Sequence, residues 1–176
     1  MPPPDRVFRP DEILRVLAAH GVDFVVVGGL AVQAHGYIRL TQDLDVIVRP
    51  SLLNLTRLSE ALVDLEAELR TRGTLRLGDP QQLGRAPHIQ VATRAGSLDV
   101  IHVEHIAGAP KSYDALREAA FVVRLGELEV AFAGLSDLIR MKRPAARFMR
   151  MRSESPAKAT SSSPSLTTKA ASLRAS

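Results

Sequence analysis

The sequence predicts an α/β domain, and three features point to it. First, Phe24-Val25-Val26-Val27 is an unbroken run of β-formers that ends in Gly28-Gly29. A short helical stretch, Leu30 to His35, and a second β-forming run, Thr41 to Val48, follow. Second, Leu52, Leu55, Leu58, Leu62, Leu65 and Leu69 recur at helical spacing and predict one long amphipathic helix. Third, residues 88–103 and 121–133 each contain two β-forming runs split by a glycine turn, as hairpins do.

Taken in order, residues 1–10 read as a flexible N-terminus, since Met1-Pro2-Pro3-Pro4-Asp5-Arg6 lacks the apolar segment of a signal peptide. The domain is expected over 11–149. It opens after Pro10 with a helix carrying Asp11 and Glu12 in its first turn and Ile13, Leu14, Leu17 and Ala18 on one stripe; Gly21 stops it. Phe24 to Val27 is a strand buried on both faces. Ser51 caps the leucine-rich helix, which is expected to stop near Gly73. Gly78-Asp79-Pro80 and Gly84 punctuate a turn-rich section. His88–Thr93 and Leu98–Val103 form a hairpin about Gly96-Ser97. Tyr113 to Ala120 is a short helix, and Phe121–Leu125 with Glu129–Ala133 a second hairpin about Gly126. A last helix, capped by Ser136, puts Leu138, Ile139, Lys142 and Ala146 on one stripe, so Lys142 is expected on the inward face. There its stem packs while the amine snorkels to water, or the amine meets a bound anion. Residues 150–176 are basic and Ser/Thr/Ala/Pro-rich without hydrophobic period, the composition of a disordered tail.

The 176 residues suffice for one domain. Cysteine is absent, which excludes disulfides and thiolate metal sites. No apolar run approaches the ~20 residues needed to span a bilayer, so a soluble cytoplasmic protein without membrane association is expected. The formal net charge of +4 is unevenly spread. Residues 1–139 hold 14 basic and 18 acidic side chains, whereas residues 140–152 hold six basic ones and no acid. That basic run is read either as a solvated face or as a contact for RNA, tRNA included.

The stretch with chemistry in it is the first strand-turn-helix-strand unit. Gly28-Gly29 brings bare amides to the turn, and the following helix points its N-terminus at the same place, which together suit phosphate. Asp43 and Asp45 lie two apart in a β-forming run, so both carboxylates project from one side of the strand. Side by side they repel, and a hard divalent cation is the usual reason to hold them so. An Asp-x-Asp pair is also used by sugar-nucleotide glycosyltransferases; the glycine turn 14 positions earlier favours nucleotidyl chemistry. Asp99 sits between Leu98 and Val100-Ile101, where an acid is costly to bury unless paired or bound to metal; alternatively it ends a strand and faces water. Among other polar residues, His35 is expected to pack or cap its helix and Thr41 to fix its loop by a local hydrogen bond. His102, Glu104 and His105 lack the spacing of a zinc site.

Gly28-Gly29, the helix ending in His35-Gly36, then Arg39, Thr41 and Asp43-Leu44-Asp45, with Asp99 on a later strand, resembles the DNA polymerase β-type nucleotidyltransferase superfamily. More narrowly it is similar to small bacterial nucleotidyltransferases that include AbiEii-like toxins of type IV toxin–antitoxin systems. The resemblance spans roughly residues 10–147. Many relatives carry Gly-Ser where this chain has Gly28-Gly29, and continue the last helix where Pro144 and the serine tract stand here. The resemblance implies a mixed β-sheet flanked by helices, with antiparallel edges. It implies Asp43, Asp45 and Asp99 as catalytic metal ligands for two Mg²⁺ ions, and Gly28, Gly29, Arg39 and Lys142 as nucleotide-binding residues. The implied reaction moves a nucleoside monophosphate from a nucleoside triphosphate such as ATP onto a hydroxyl of RNA, protein or a small molecule, in a component of a toxin–antitoxin system with a cognate antitoxin as partner. The alternatives are a non-catalytic nucleotide-binding or antitoxin-like module, and a truncated inactive remnant.

Overall fold

The apolar run Phe24–Val27 forms strand β1 of the computed structural model, which describes residues 7–71 and 73–142. The expected flexible start (residues 1–6) and the tail over 150–176 lie outside the described residues. Phe8 and Arg9 are tied to the domain: Phe8 packs against the core, and the Arg9 amide donates to the Ala95 carbonyl at 2.9 Å.

Helix α1 (Pro10–Ala19) begins with proline, whose missing N–H is no loss there, and buries Ile13, Leu14 and Leu17. After β1 come α2 (Gly28–Ala34), β2 (Asp43–Val48), α3 (Leu52–Asp64), β3 (Glu68–Leu69) and α4 (Pro80–Arg85). The chain continues through β4 (His88–Thr93), β5 (Gly96–Ile101), a 3-10 turn (Val103–His105), α5 (Tyr113–Glu118), β6 (Phe121–Leu125) and β7 (Leu128–Phe132). A final helix, α6, spans 135–142 of the described residues.

One seven-stranded mixed sheet in the order β3-β4-β5-β2-β1-β7-β6 carries the fold. β2 is its central strand, antiparallel to β1 and parallel to β5, while β1 is parallel to β7. Both edges are antiparallel pairs, as expected: β6–β7 is a hairpin, and β3 pairs with β4 across a connection that contains α4. Alternation sets the two faces. Leu44, Val46 and Val48 of β2, Leu98 and Val100 of β5 and Ile89 and Val91 of β4 join one buried cluster with α1 and α3. The alternate positions of the same strands include Asp43, Asp45, Asp99, His88 and Gln90. At about 25 cal/mol per Å² of apolar surface buried, the cluster is the main force that holds those polar positions in place.

Three expectations are corrected. The leucine-rich helix stops at Asp64 instead of near Gly73: Glu66 adopts φ +52, and Ala67 N–H returns to the Leu62 carbonyl. Arg94, from the β4–β5 turn, donates to the Asp64 carbonyl and so satisfies a free helix end. Leu69, though in phase with the stripe, belongs to β3. The turn-rich section holds helix α4, capped by Asp79, which accepts the amides of Gln81 and Gln82 at 3.0 and 3.3 Å. Finally, α6 starts after Gly134, whose carbonyl accepts the Asp137 and Leu138 amides, so its buried side carries Asp137 and Leu138. Ile139 and Lys142 are exposed, and Lys142 does not face inward. Among the described residues no helix is long and apolar enough to cross a membrane.

Candidate functional site

The acid cluster is built by strand register. Parallel pairing of β2 with β5 sets Asp45 directly beside Asp99 and Asp43 beside Ser97. Neighbours in register project to the same face, so the two-residue spacing of Asp43 and Asp45 brings three carboxylates together. Each offers an oxygen within 4.8 Å of the others. Asp99 is buried at 5% exposure, while Asp43 and Asp45 are half-buried at the rim.

The glycine turn abuts this cluster. Val27 pairs with Asp45, so the chain bends immediately beyond the acid's row. Gly28 has φ +64, a conformation that suits glycine, and a β-carbon there would stand 1.9 Å from Asp45 Oδ2. The Gly29 amide donates to Asp45. Thr41 lies against Gly29, and its Oγ1 is 3.1 Å from the Asp43 carbonyl, the local side-chain–backbone bond expected of it, and 2.9 Å from Asp43 Oδ1. Burial, reinforced by the charges of Asp43 and then Asp99, pushes the Asp45 carboxyl up to about 6.

Asp99 is held by residues that the sequence reading did not single out. Arg70 Nη1 donates to Oδ1 at 3.1 Å, Gln90 Nε2 donates to Oδ2 at 3.0 Å, and His88 Nε2 lies 3.0 Å from Oδ2. Gln90 is the register partner of Asp99 on β4, His88 shares its face two residues away, and the Arg70 amide bonds the Gln90 carbonyl at 2.9 Å. One signal was available: His88 and Gln90 alternate with apolar Ile89 and Val91. Arg70 carries no local sequence signal.

Of the other predicted residues, Arg39 is exposed, with its Nε 3.7 Å from the position of a β-carbon on Gly29. It therefore borders the glycine turn. His35 packs, its Nε2 3.0 Å from the Ala133 carbonyl and its ring 4.5 Å from that of Phe121. Buried His102 lies with Nε2 2.9 Å from the Leu83 carbonyl, and the only metal-type cluster among the described residues is the acid triad.

The donor set fits a hard divalent cation. Its oxygens belong to carboxylates, the ligands of Mg²⁺, Mn²⁺ and Ca²⁺. At ~2.1 Å per bond, two oxygens on one Mg²⁺ lie at most about 4.2 Å apart. The observed spread of up to 4.8 Å would close to that value with a shift of a few tenths of an ångström at each acid. Three carboxylates at a partly buried rim repel one another, a cost that a bound cation would relieve.

No protein-family model and no curated protein sequence matches the chain. Among solved structures the fold is similar to the crystal structure of a candidate nucleotidyltransferase from Thermotoga maritima. The TM-score is 0.56 at 12% identity, covering 85% of this chain and 93% of that one. At this identity the likeness is one of fold.

Proposed function

We propose that this protein is a metal-dependent nucleotidyltransferase that moves a nucleoside monophosphate from a nucleoside triphosphate onto a hydroxyl acceptor. The observation that carries the reading is the meeting of Asp43, Asp45 and Asp99 beside a glycine turn so tight that Gly28 touches Asp45. Asp43, Asp45 and Asp99 would hold Mg²⁺. Bound divalent ions supply charge neutralisation of the phosphates and activation of the attacking hydroxyl.

The chain's own residues do the rest. Gly28 and Gly29 would face the β- and γ-phosphates at the turn; lacking β-carbons, they make room for the Asp45 and Thr41 side chains, which occupy those positions. Arg39, at the outer side of the turn, adds a cation toward those phosphates, and Lys142 is a second candidate. Asp99 stands on the side of Asp45 away from the turn, where the acceptor hydroxyl would arrive, and its carboxylate is placed to draw off the proton. The basic residues over 140–152 suit a polyanionic acceptor such as tRNA. A place in a cytoplasmic toxin–antitoxin pair, with a cognate antitoxin as partner, completes this reading.

One observation favours a second reading, a nucleotide-binding module without turnover: both Asp99 oxygens already accept hydrogen bonds. Incubation with labelled NTPs, Mg²⁺ and total tRNA or lysate separates the two. Transfer of label that disappears in the Asp43→Asn/Asp45→Asn double variant supports the enzyme. Thermal stabilisation by Mg²⁺-NTP without labelled product supports the module. Label transfer undiminished in the double variant would sink the proposed site.

A further inference from the structure

Asp99 differs from its two partners in one respect: it already has a cation. Arg70 Nη1 lies 3.1 Å from Oδ1, and the Arg70 side chain is 39% exposed while that of Asp99 is 7% exposed. A buried carboxylate must be satisfied, but Asp99 is satisfied twice over. Gln90 and His88 both approach Oδ2, leaving Oδ1 to Arg70 alone. An ionised carboxylate has about four lone-pair positions, so the open acceptor position of Asp99 is on the oxygen that Arg70 holds. Any divalent ion reaching Asp99 therefore shares that oxygen with a guanidinium or displaces it.

We infer that Arg70 is a resident counter-ion of the acid cluster, a positioning residue that weakens the hold on a bare divalent cation and so ties metal uptake to arrival of the anionic nucleotide. This inference builds on the proposed metal site and adds to it a control on loading. Arg70 reduces the formal charge of the site from −3, contributed by Asp43, Asp45 and Asp99, to −2. Two positive charges on the ion and one on Arg70, roughly 6 Å apart in a rim of effective dielectric about 20–40, repel strongly enough to cost at least tenfold in affinity. A bound triphosphate supplies the missing negative charge and removes that disadvantage. Arg70 stands where such control is available, at the point where the chain leaves the short edge strand β3. Its backbone N–H bonds Gln90 whatever the side chain, so substitution there spares the ladder.

The test titrates Mn²⁺ by calorimetry into the full-length protein and its Arg70→Gln, Arg70→Lys and Asp45→Asn variants, without nucleotide and with a saturating non-hydrolysable NTP analogue. Melting in EDTA verifies that each variant folds. The expected result is Mn²⁺ binding at least about tenfold tighter in Arg70→Gln than in wild type without nucleotide. The gap should narrow with the analogue, and Arg70→Lys, which keeps the charge, should restore wild-type affinity. A purely structural Arg70 would instead make Arg70→Gln bind Mn²⁺ equally or more weakly, and that overturns the inference. The Asp45→Asn arm reports separately on the site: binding lost there with no gain in Arg70→Gln leaves the metal site standing and removes only the role of Arg70. Binding by neither wild type nor Arg70→Gln removes both.

Discussion

Gly28 and Asp45 occupy space that only a hydrogen atom lets them share: a β-carbon on Gly28 would stand 1.9 Å from Asp45 Oδ2 and 2.9 Å from its Cβ. Gly28→Ala must therefore push the acid off the row it shares with Asp99. The backbone adds to the cost, because φ +64 is unfavourable for alanine by roughly 1–2 kcal/mol. We expect a stability loss of about 2–4 kcal/mol by urea unfolding, together with loss of the Mn²⁺-induced rise in Tm. A Gly28→Ala variant with near-wild-type stability and Mn²⁺ response would mean that the bend does not fix Asp45.

Thr41 explains a departure from the Gly-Ser pattern of the resembled family. A β-carbon at Gly29 would lie 2.7 Å from Thr41 Oγ1 and 2.9 Å from Thr41 Cβ, so threonine already fills the place of a serine. Gly29→Ser alone should destabilise by roughly 1–3 kcal/mol through overpacking. Thr41→Ala alone should cost about 1 kcal/mol for its bonds to Asp43. The double variant should lose less than the sum, with a coupling of about 1 kcal/mol or more in a double-mutant cycle. Strict additivity would show that the two positions do not compete for space.

The parts of this site visible in the sequence are those whose signal is local. The glycine pair, the Asp-x-Asp spacing and the acid amid apolar Leu98 and Val100 are each readable within a few residues, and all of them meet at the cluster. Long-range register is not local. That Asp45 lies opposite Asp99, and Asp99 opposite Gln90, follows from pairings between strands separated by dozens of residues in one case and a hairpin turn in the other. Arg70 was hidden by the same cause: Leu69 continues the helical leucine period, yet its segment pairs with β4. Lys142 shows a different difficulty. Leu138 and Ile139 are equally apolar and suggest a stripe that carries both, with Lys142 at its centre. The buried pair is instead Asp137 and Leu138, a shift of one residue that turns the buried side of α6 by about 100°. Helix α4 was legible in principle, since Asp79-Pro80 is an N-cap followed by proline at the first helical position.

Asn54 holds the end of the sheet opposite the acids. Its Oδ1 accepts the Asp23 amide at 2.7 Å, and its Nδ2 donates to the carbonyls of Asp23 and Arg49, both at 3.0 Å. One side chain on α3, 1% exposed, thus clamps the start of β1 to the exit of β2. Asn54→Ala leaves buried backbone groups without partners and should cost roughly 2–4 kcal/mol. Because Asp45 sits at the far end of the β1–β2 pair, beside Val27, the Mn²⁺-induced rise in Tm should persist. A loss below about 1 kcal/mol would show that water replaces the amide without difficulty.

Asp45 makes the metal-free protein less stable above acidic pH. Its folded pKa of about 6 exceeds the ordinary 3.8, so between those values the folded state holds more protons than the unfolded one. Stability from this group is fully present below about pH 4 and is lost as pH rises through 6. Asp45→Asn removes the burial and repulsion of the charge while keeping an oxygen for the Gly29 amide. In EDTA at pH 7.5 it should exceed wild type by roughly 1–2 kcal/mol, the shift being discounted for solvent screening at the rim. At pH 4 the advantage should nearly vanish. Excess Mg²⁺ or Mn²⁺ should reverse the order at pH 7.5 by stabilising wild type alone. Melting curves at the two pH values, with EDTA and with metal, measure all of this. An Asn variant no more stable than wild type in EDTA at pH 7.5 would mean that the three acids do not repel, and that no cation is needed to hold them together.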